Sequence, residues 1–358
     1  MPRPRWEKET DCALACALAV AGLVLYVRTL APSVVALFDD SLEFQLVCYQ
    51  LGIAHPTGYP LYTLLGKLFA FLPLGDAAYR VNLLSAVAGA STWALLFAVG
   101  RALGLRRVGA VAGAVALGTS PVFWSQATVA EVYALHCLFV ALLLFLAVRW
   151  GRARDPWTAR SRLWALAFAL GLSLTHHRMT LLLLPALALY AGWVTLSRQA
   201  SVRRLVLGSR RRPGFWGQAA GALVSFALPL ALYAYIPLRG RVATSLDGQY
   251  VNTWPGFWDW VLARAYGVFL GENPLARDLD AAFHFGLFRD QFGLLGLALA
   301  GLGFLALLQR PREWTLLAVA FAVQTAFALQ YRVGDVEVFF LPAFLLAALF
   351  LGAGVSLG

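Results

Sequence analysis

Charge is scarce in this chain. Of its 358 residues only 13% are Asp, Glu, Lys or Arg, while 60% are hydrophobic and the mean hydropathy is +0.70. An ordinary soluble domain carries about twice that charged fraction, so a soluble globular enzyme is excluded. Cysteine is scarce too. The four present (Cys12, Cys16, Cys48, Cys137) show no CxxC spacing, which argues against a disulfide framework and against a zinc site. There is no Walker loop and no GxGxxG turn to suggest a nucleotide-driven domain. No repeat of 20–50 residues is visible. No cleavable signal peptide is expected, because the first apolar run, Cys12–Leu30, is too long and has no small-residue cleavage site.

What the chain has instead is a series of apolar runs, several of them near or above the ~20 residues that cross a bilayer. The expected fold class is an all-α polytopic membrane protein of about ten transmembrane helices, built as one domain over residues 1–358. The net charge of +11 suggests nucleic acid only at first sight. The arginines cluster between apolar runs, as the positive-inside rule expects of cytoplasmic loops, so the partner is a lipid bilayer and no nucleic acid is expected. Arg3, Arg5 and Lys8 place the N-terminus inside; spans follow at about 12–30, 81–100, 108–124 and 127–148, two short ones within 163–197, then 216–236, 291–309, 313–331 and 338–356. Residues 31–80 and 237–290 become the two large outer loops. Gly109-xxx-Gly113 reads as a small-residue packing face.

That topology sorts the charges. Inner segments take 19 of the 29 Lys and Arg but only 5 of the 18 acids, so acids, histidines and isolated arginines gather at the outer face. Basic inner loops need only topology to explain them; acids at membrane depth call for a site.

The densest polar block is Phe38–Pro60, FDDSLEFQLVCYQLGIAHPTGYP. Asp40-Ser-Leu-Glu43 matches a capping box that would open a helix at about 41–51, closed by Gly52. The same spacing puts Asp40 and Glu43 on one helix edge, where one could act as a general base or both could hold a divalent cation, Mg2+ or Mn2+. Asp39 is an adjacent alternative for the base. His55 in the His-Pro-Thr-Gly-Tyr-Pro turn is either a turn-stabilising residue or a substrate contact. The residues after the turn form an amphipathic helix suited to the membrane interface, with Leu61, Leu64, Leu65, Leu68, Phe69 and Leu72 on its apolar stripe. Glu131, with Tyr133 and His136, sits near the outer end of the fourth span. His176, His177 and Arg178 form a second outer cluster, fit for a phosphate or for anchoring at the interface. Arg239 lies just beyond the seventh span, and Arg332, Asp335 and Glu337 lie between the last two. Aromatics of the second outer loop (Tyr250, Trp254, Trp258, Trp260, Tyr266) suit sugar stacking or a membrane belt.

These residues, in this order, resemble a membrane family first defined as a bacterial domain of unknown function. The likeness rests on Asp40-Ser-x-Glu43, on Gly52-Ile-Ala-His55-Pro-x-Gly58-Tyr59-Pro60-Leu-Tyr and on Arg80-Val-Asn82-Leu-Leu-Ser85-Ala. It continues in Glu131-Val-Tyr133-Ala-Leu-His136, Pro237-Leu-Arg239 and Asp335-Val-Glu337-Val-Phe-Phe-Leu-Pro342, and so covers about residues 12–345. The family is related to a eukaryotic protein O-mannosyltransferase and is similar to the GT-C glycosyltransferases. The resemblance implies a GT-C-like bundle with juxtamembrane helices in its first outer loop. It implies an inverting transfer of sugar from a polyprenyl-phosphate donor to a protein or envelope-glycan hydroxyl, at the outer face of a bacterial-type inner membrane. Asp40 would then be the base, with Glu43 or Asp39 beside it. His55, Tyr59, Arg80, Asn82, Glu131, Tyr133, His136, Asp335 and Glu337 would shape the substrate pockets. Arg332 would join them in binding substrate, and Arg239 and the His176–Arg178 cluster would meet the lipid phosphate. Many members continue into a soluble extracytoplasmic domain, whereas this sequence stops at Gly358 after its last span, which leaves a short member and a fragment both open. A transporter or flippase for a lipid-linked sugar or other anion is the competing expectation; it would need polar residues continuing through the helices toward the inner side.

Overall fold

The computed structural model describes residues 5–35, 39–205, 215–270 and 279–358; the side chains of Asp39, of residues 5–6 and 199–205, and of Phe215 are outside that description. Among the described residues there is no named strand, only two isolated β-bridges. In chain order the helices are α1 (Arg5–Thr29), α2 (Asp39–Gln50), α3 (Pro60–Ala70), α4 (Ala77–Leu103), α5 (Arg107–Gly118), α6 (Pro121–Ala127), α7 (Val132–Gly151) and α8 (Pro156–Leu174). A 3₁₀ turn, Arg178–Leu183, leads into α9 (Leu184–Leu205); then come α10 (Phe215–Leu230), α11 (Tyr235–Arg239), α12 (Trp254–Val261), α13 (Ala281–Ala306), α14 (Pro311–Gln330), α15 (Val336–Phe339) and α16 (Leu341–Val355).

Among the described residues seven helices are long and apolar enough to cross a membrane, and the pair α5–α6, bent by 67°, makes an eighth if counted as one span. With α8 and α16 the bundle matches the expected ten helical members. α16 is its axis. With only 15 residues it is almost wholly buried, packed against α5, α13 and α14. Its neighbours approach to backbone contact: a Cβ on Gly109 would lie 2.2 Å from Gly352 O, and one on Gly113 2.6 Å from Ala348 O. The small-residue face of α5 is therefore the surface that lets α16 into the centre.

Three boundaries differ from the sequence reading. α2 ends at Gln50 because Leu51, not Gly52, takes the left-handed conformation (φ 56°). α5 stops at Gly118, and Pro121 restarts the chain as α6 in a new direction, so Glu131 lies in the extended turn before α7. The loop expected over 237–290 is shorter, because α13 begins at Ala281, where Asp280 caps the Phe283 N–H at 2.8 Å. The expected start near residue 291 coincides with a break inside this helix at Gly293 (φ 64°).

α2 and α3 form the expected pair beside the bundle. Gly66 makes their contact possible, since a Cβ there would lie 2.4 Å from Cys48 Sγ. α3 turns Tyr62, Thr63, Gly66 and Ala70 to the protein, but of the expected apolar stripe only Leu68 is exposed; Leu61 is buried, and Leu65 and Phe69 pack against the core. A second small core (Ile53, Ile236, Tyr250, Trp260, Val261) caps this end of the bundle. The bridges Ile53–Ser245 and Leu270–Tyr331 stitch the three loops of this end together.

Candidate active site

The first turn of α2 opens into the space under those loops. Glu43 accepts the backbone N–H of His55 at 2.7 Å and also contacts the ring Nδ1. His55 Nε2 faces Asp40 Oδ2 at 3.9 Å. Glu43 is thus committed to the Ile53–Tyr59 turn, and the reciprocal capping box expected from spacing is replaced by this bridge. The exposure of the three side chains separates their roles: Asp40 is 52% exposed, while Glu43 and His55 are each 15%. Asp40 is the carboxylate that a substrate can reach. Asp39 opens the same helix, but its side chain lies outside the described residues.

Burial disfavours a charged His55, but the Glu43 hydrogen bond and the charges of Asp40, Glu43 and Glu131 outweigh it, and its pKa is raised. Ligand atoms from Asp40, Glu43 and His55 all lie within 4.8 Å of one another. Two carboxylates and one imidazole form a donor set that fits Mn2+, and Mg2+ through the oxygens.

Behind Asp40 stands Glu131, 4% exposed. Its Oε1 accepts from Ser41 Oγ at 2.9 Å, and its buried Oε2 has no partner among the described residues. Burial first, and then the charge of Asp40, push its pKa up to about 8. At neutral pH it is mostly a neutral acid and can donate a hydrogen bond. Ser85 holds its backbone, accepting from Glu131 N at 3.2 Å and donating to Glu131 O at 3.1 Å. Asp335 completes the ring of acids. Burial raises its pKa, and the charge of Asp40 adds to the shift, which places Asp335 in the same field. Glu337 is half-buried in α15.

Imidazoles and phenols floor the site. Tyr59 lies 5.0 Å from the His55 ring and 5.8 Å from His177, between ring centroids. His177 lies 4.7 Å from His136 and 5.7 Å from Tyr133. His176 stacks on Tyr62 at 5.8 Å and bonds Val132 O through Nε2 at 2.9 Å. His177 Nδ1 accepts the Met179 N–H at 3.2 Å, which leaves its Nε2 to carry the proton. Burial holds His177 well below the ordinary histidine range and brings His176 down to about 4. Both are neutral, so of the expected cationic cluster only Arg178 carries charge; it is exposed and donates to Leu262 O.

The other expected residues hold backbone. Arg239 donates to Leu51 O at 2.6 Å and Gln50 O at 3.5 Å, closing the far end of α2. Arg80 donates to the carbonyls of Ala70, Leu74 and Gly75. Asn82 ties Ala31 O and Ser33 O to Gln45 on α2. Arg332 bonds Phe269 O through its backbone N–H at 2.9 Å, beside the Leu270–Tyr331 bridge. Site residues not singled out from the sequence are Ser41, which bonds Glu131, and Tyr266 and Tyr331. Burial raises both phenols, and so do the charges of Asp40 and Glu43 at Tyr266 and of Asp335 and Asp40 at Tyr331. Tyr266 was visible only as one of five aromatics suited to sugar stacking or to a membrane belt. Ser41 stands in the Asp40-Ser-x-Glu43 motif without a role of its own, and nothing local in the sequence marks Tyr331.

The profile of the protein O-mannosyl-transferase TMEM260 N-terminal domain matches residues 40–200. The chain is 31% identical to the mouse (Mus musculus) protein O-mannosyl-transferase TMEM260 over 294 residues, 81% of this chain and 36% of that protein. It is 26% identical to the Dictyostelium discoideum protein O-mannosyl-transferase tmem260 over 323 residues, 84% of this chain and 37% of that one. The chain thus spans about a third of the length of these curated relatives. Among solved structures, ArnT from Cupriavidus metallidurans bound to undecaprenyl phosphate aligns with a TM-score of 0.66 at 14% identity, covering 96% of this chain and 60% of that one. The Saccharomyces cerevisiae Pmt1–Pmt2 protein O-mannosyltransferase complex, bound to its sugar donor, aligns at 0.51 and 19% identity, covering 70% and 36%. The fold is therefore that of the GT-C polytopic membrane proteins.

Proposed function

From a chain that belongs to a GT-C family related to the TMEM260 protein O-mannosyl-transferases, we propose a glycosyltransferase that moves a sugar from a polyprenyl-phosphate-linked donor to a hydroxyl of a protein or envelope glycan, with inversion. The observation that carries this is Asp40: one accessible carboxylate at the end of α2, braced by His55 and Glu43 and facing a neutral buried acid, Glu131. The acceptor hydroxyl loses its proton to Asp40 as its oxygen bonds to the anomeric carbon. The bond from that carbon to the phosphate oxygen breaks, and the polyprenyl phosphate leaves as an anion. The transition state is positive on the sugar, which suits carboxylates on the attacking side. Neutral Glu131 donates to a sugar hydroxyl, and Arg178, in the loop next to the floor, meets the phosphate. A divalent cation held by Asp40, Glu43 and His55 would sit on the attacking side, where it would polarise the acceptor hydroxyl and ease its deprotonation.

The arginine-rich end, by the positive-inside rule, faces the cytoplasm, so the site opens at the outer face of a bacterial-type inner membrane. The test is transfer from a radiolabelled polyprenyl-phosphate donor to envelope acceptors by purified wild type, Asp40→Asn and Asp39→Asn, with and without EDTA. Loss in Asp40→Asn alone supports this reading. No transfer by folded wild type across a panel of donors defeats it in favour of transport of a lipid-linked sugar.

A further inference from the structure

A cavity lies at the opposite end of the bundle from Asp40. It has a volume of about 630 Å³ between α1, α4, α7 and the start of α8. Its rim carries five cations, Lys8, Arg101, Arg149, Arg152 and Arg162, and one acid, Asp11. Its floor is apolar, with Phe97 and Phe145 as its largest members.

The rim charges are unequally satisfied. Asp11 is shared between Arg101 at 3.0 Å and Arg107 at 2.7 Å, and Arg152 pairs with Glu313 at 3.1 Å. Among the described residues no carboxylate forms an ion pair with Lys8, Arg149 or Arg162. Arg162 instead donates to the Arg149 carbonyl at 2.6 Å, which brings two like charges together across the α7–α8 turn. Adjacent unpaired cations above an apolar floor match a phosphate head on a hydrocarbon tail. Positive-inside topology explains arginines in these turns; it does not explain why some of them converge on a cavity with an aromatic floor.

We propose that this cavity binds an anionic phospholipid, with the phosphate at Lys8, Arg149 and Arg162 and an acyl chain on the floor between α1, α4 and α7. The proposal does not rest on the transfer reaction. The test is native mass spectrometry of the full chain released from mixed phosphatidylglycerol and phosphatidylcholine, comparing wild type with Arg149→Gln/Arg162→Gln. The control is Arg154→Gln/Arg160→Gln, which removes the same charge from the same turn but not from the cavity. Each basic side chain near a membrane surface contributes enough that removing two should weaken phosphatidylglycerol retention roughly thirtyfold. The expected result is that loss in the cavity variant only. Ala98→Phe, which fills the floor and leaves every charge, should also reduce retention. Equal loss in the control variant would assign the effect to diffuse charge and overturn the proposal. So would binding of inorganic phosphate alone in place of lipid, or unchanged retention in Ala98→Phe at wild-type thermal stability.

Discussion

Glu43 holds His55 twice, through the backbone N–H at 2.7 Å and through the ring, so a carboxylate on α2 and an imidazole twelve residues later form one unit. A buried N–H that loses its acceptor costs about 1–3 kcal/mol. Glu43→Ala should therefore lower stability by about that amount, whereas Glu43→Gln, which keeps a carbonyl oxygen for the N–H, should cost less. Thermal unfolding of the detergent-solubilised variants measures both. Equal stability of wild type and Glu43→Ala would show that the turn is held by other contacts.

Asp40 differs from Glu43 in being exposed, 52% against 15%, and asparagine matches it in shape. Asp40→Asn should leave the unfolding temperature unchanged and reduce kcat/KM for sugar transfer by a factor of about 10²–10⁴, the range for loss of a general base. A KM change with kcat intact would assign Asp40 to binding instead.

Glu131 sets a pH dependence. Its pKa is pushed up to about 8 in the folded chain from 4.5 when unfolded. Between those values the folded state holds a proton that the unfolded state has released, so stability is full below pH 4.5 and falls as pH rises toward 8. His55, also raised, acts in the same direction. Glu131→Gln should flatten this slope and extend activity to higher pH, because its amide donates as the protonated acid does. Glu131→Ala should lose activity at every pH. Thermal unfolding and transfer rates between pH 5 and 9 give both readouts.

The cluster of Asp40, Glu43 and His55 predicts sensitivity to chelation. EDTA should lower transfer, added Mn2+ should restore it, and His55→Ala should raise the Mn2+ concentration needed. If transfer by the wild type is the same with and without EDTA, the cluster works as charges and hydrogen bonds alone.

Much of the architecture was legible because it is written in the solvent. Apolar runs and arginine clusters give the ten members of the bundle, and Asp40, Glu43 and His55 do meet. What local sequence could not supply was burial. His176 and His177 look like cations beside Arg178 until the fold closes over them and leaves them neutral. Arg80, Asn82 and Arg239 belong to the motifs that carry the family resemblance, yet they bond carbonyls and a glutamine of the scaffold around α2. A motif records whatever the site cannot do without, and here that includes the residues that hold α2 in place.

Gly58 tests that scaffold directly. Its φ of +82° lies in the region that favours glycine, and a Cβ there would stand 2.5 Å from Ile236 Cδ1. Gly58→Ala must therefore both strain the turn and push α11 away from it, at a cost of about 1–3 kcal/mol. Ile236→Val, which removes the clashing methyl, should recover only part of that loss, because it does nothing for the backbone. The same turn carries His55, so the displacement should reach Asp40 through the His55–Glu43 bridge and reduce transfer more than the stability loss alone would. Unfolding temperatures and transfer rates of the single and double variants separate the two effects; full recovery in the double variant would show that the clash, and not the left-handed backbone, is what makes glycine necessary.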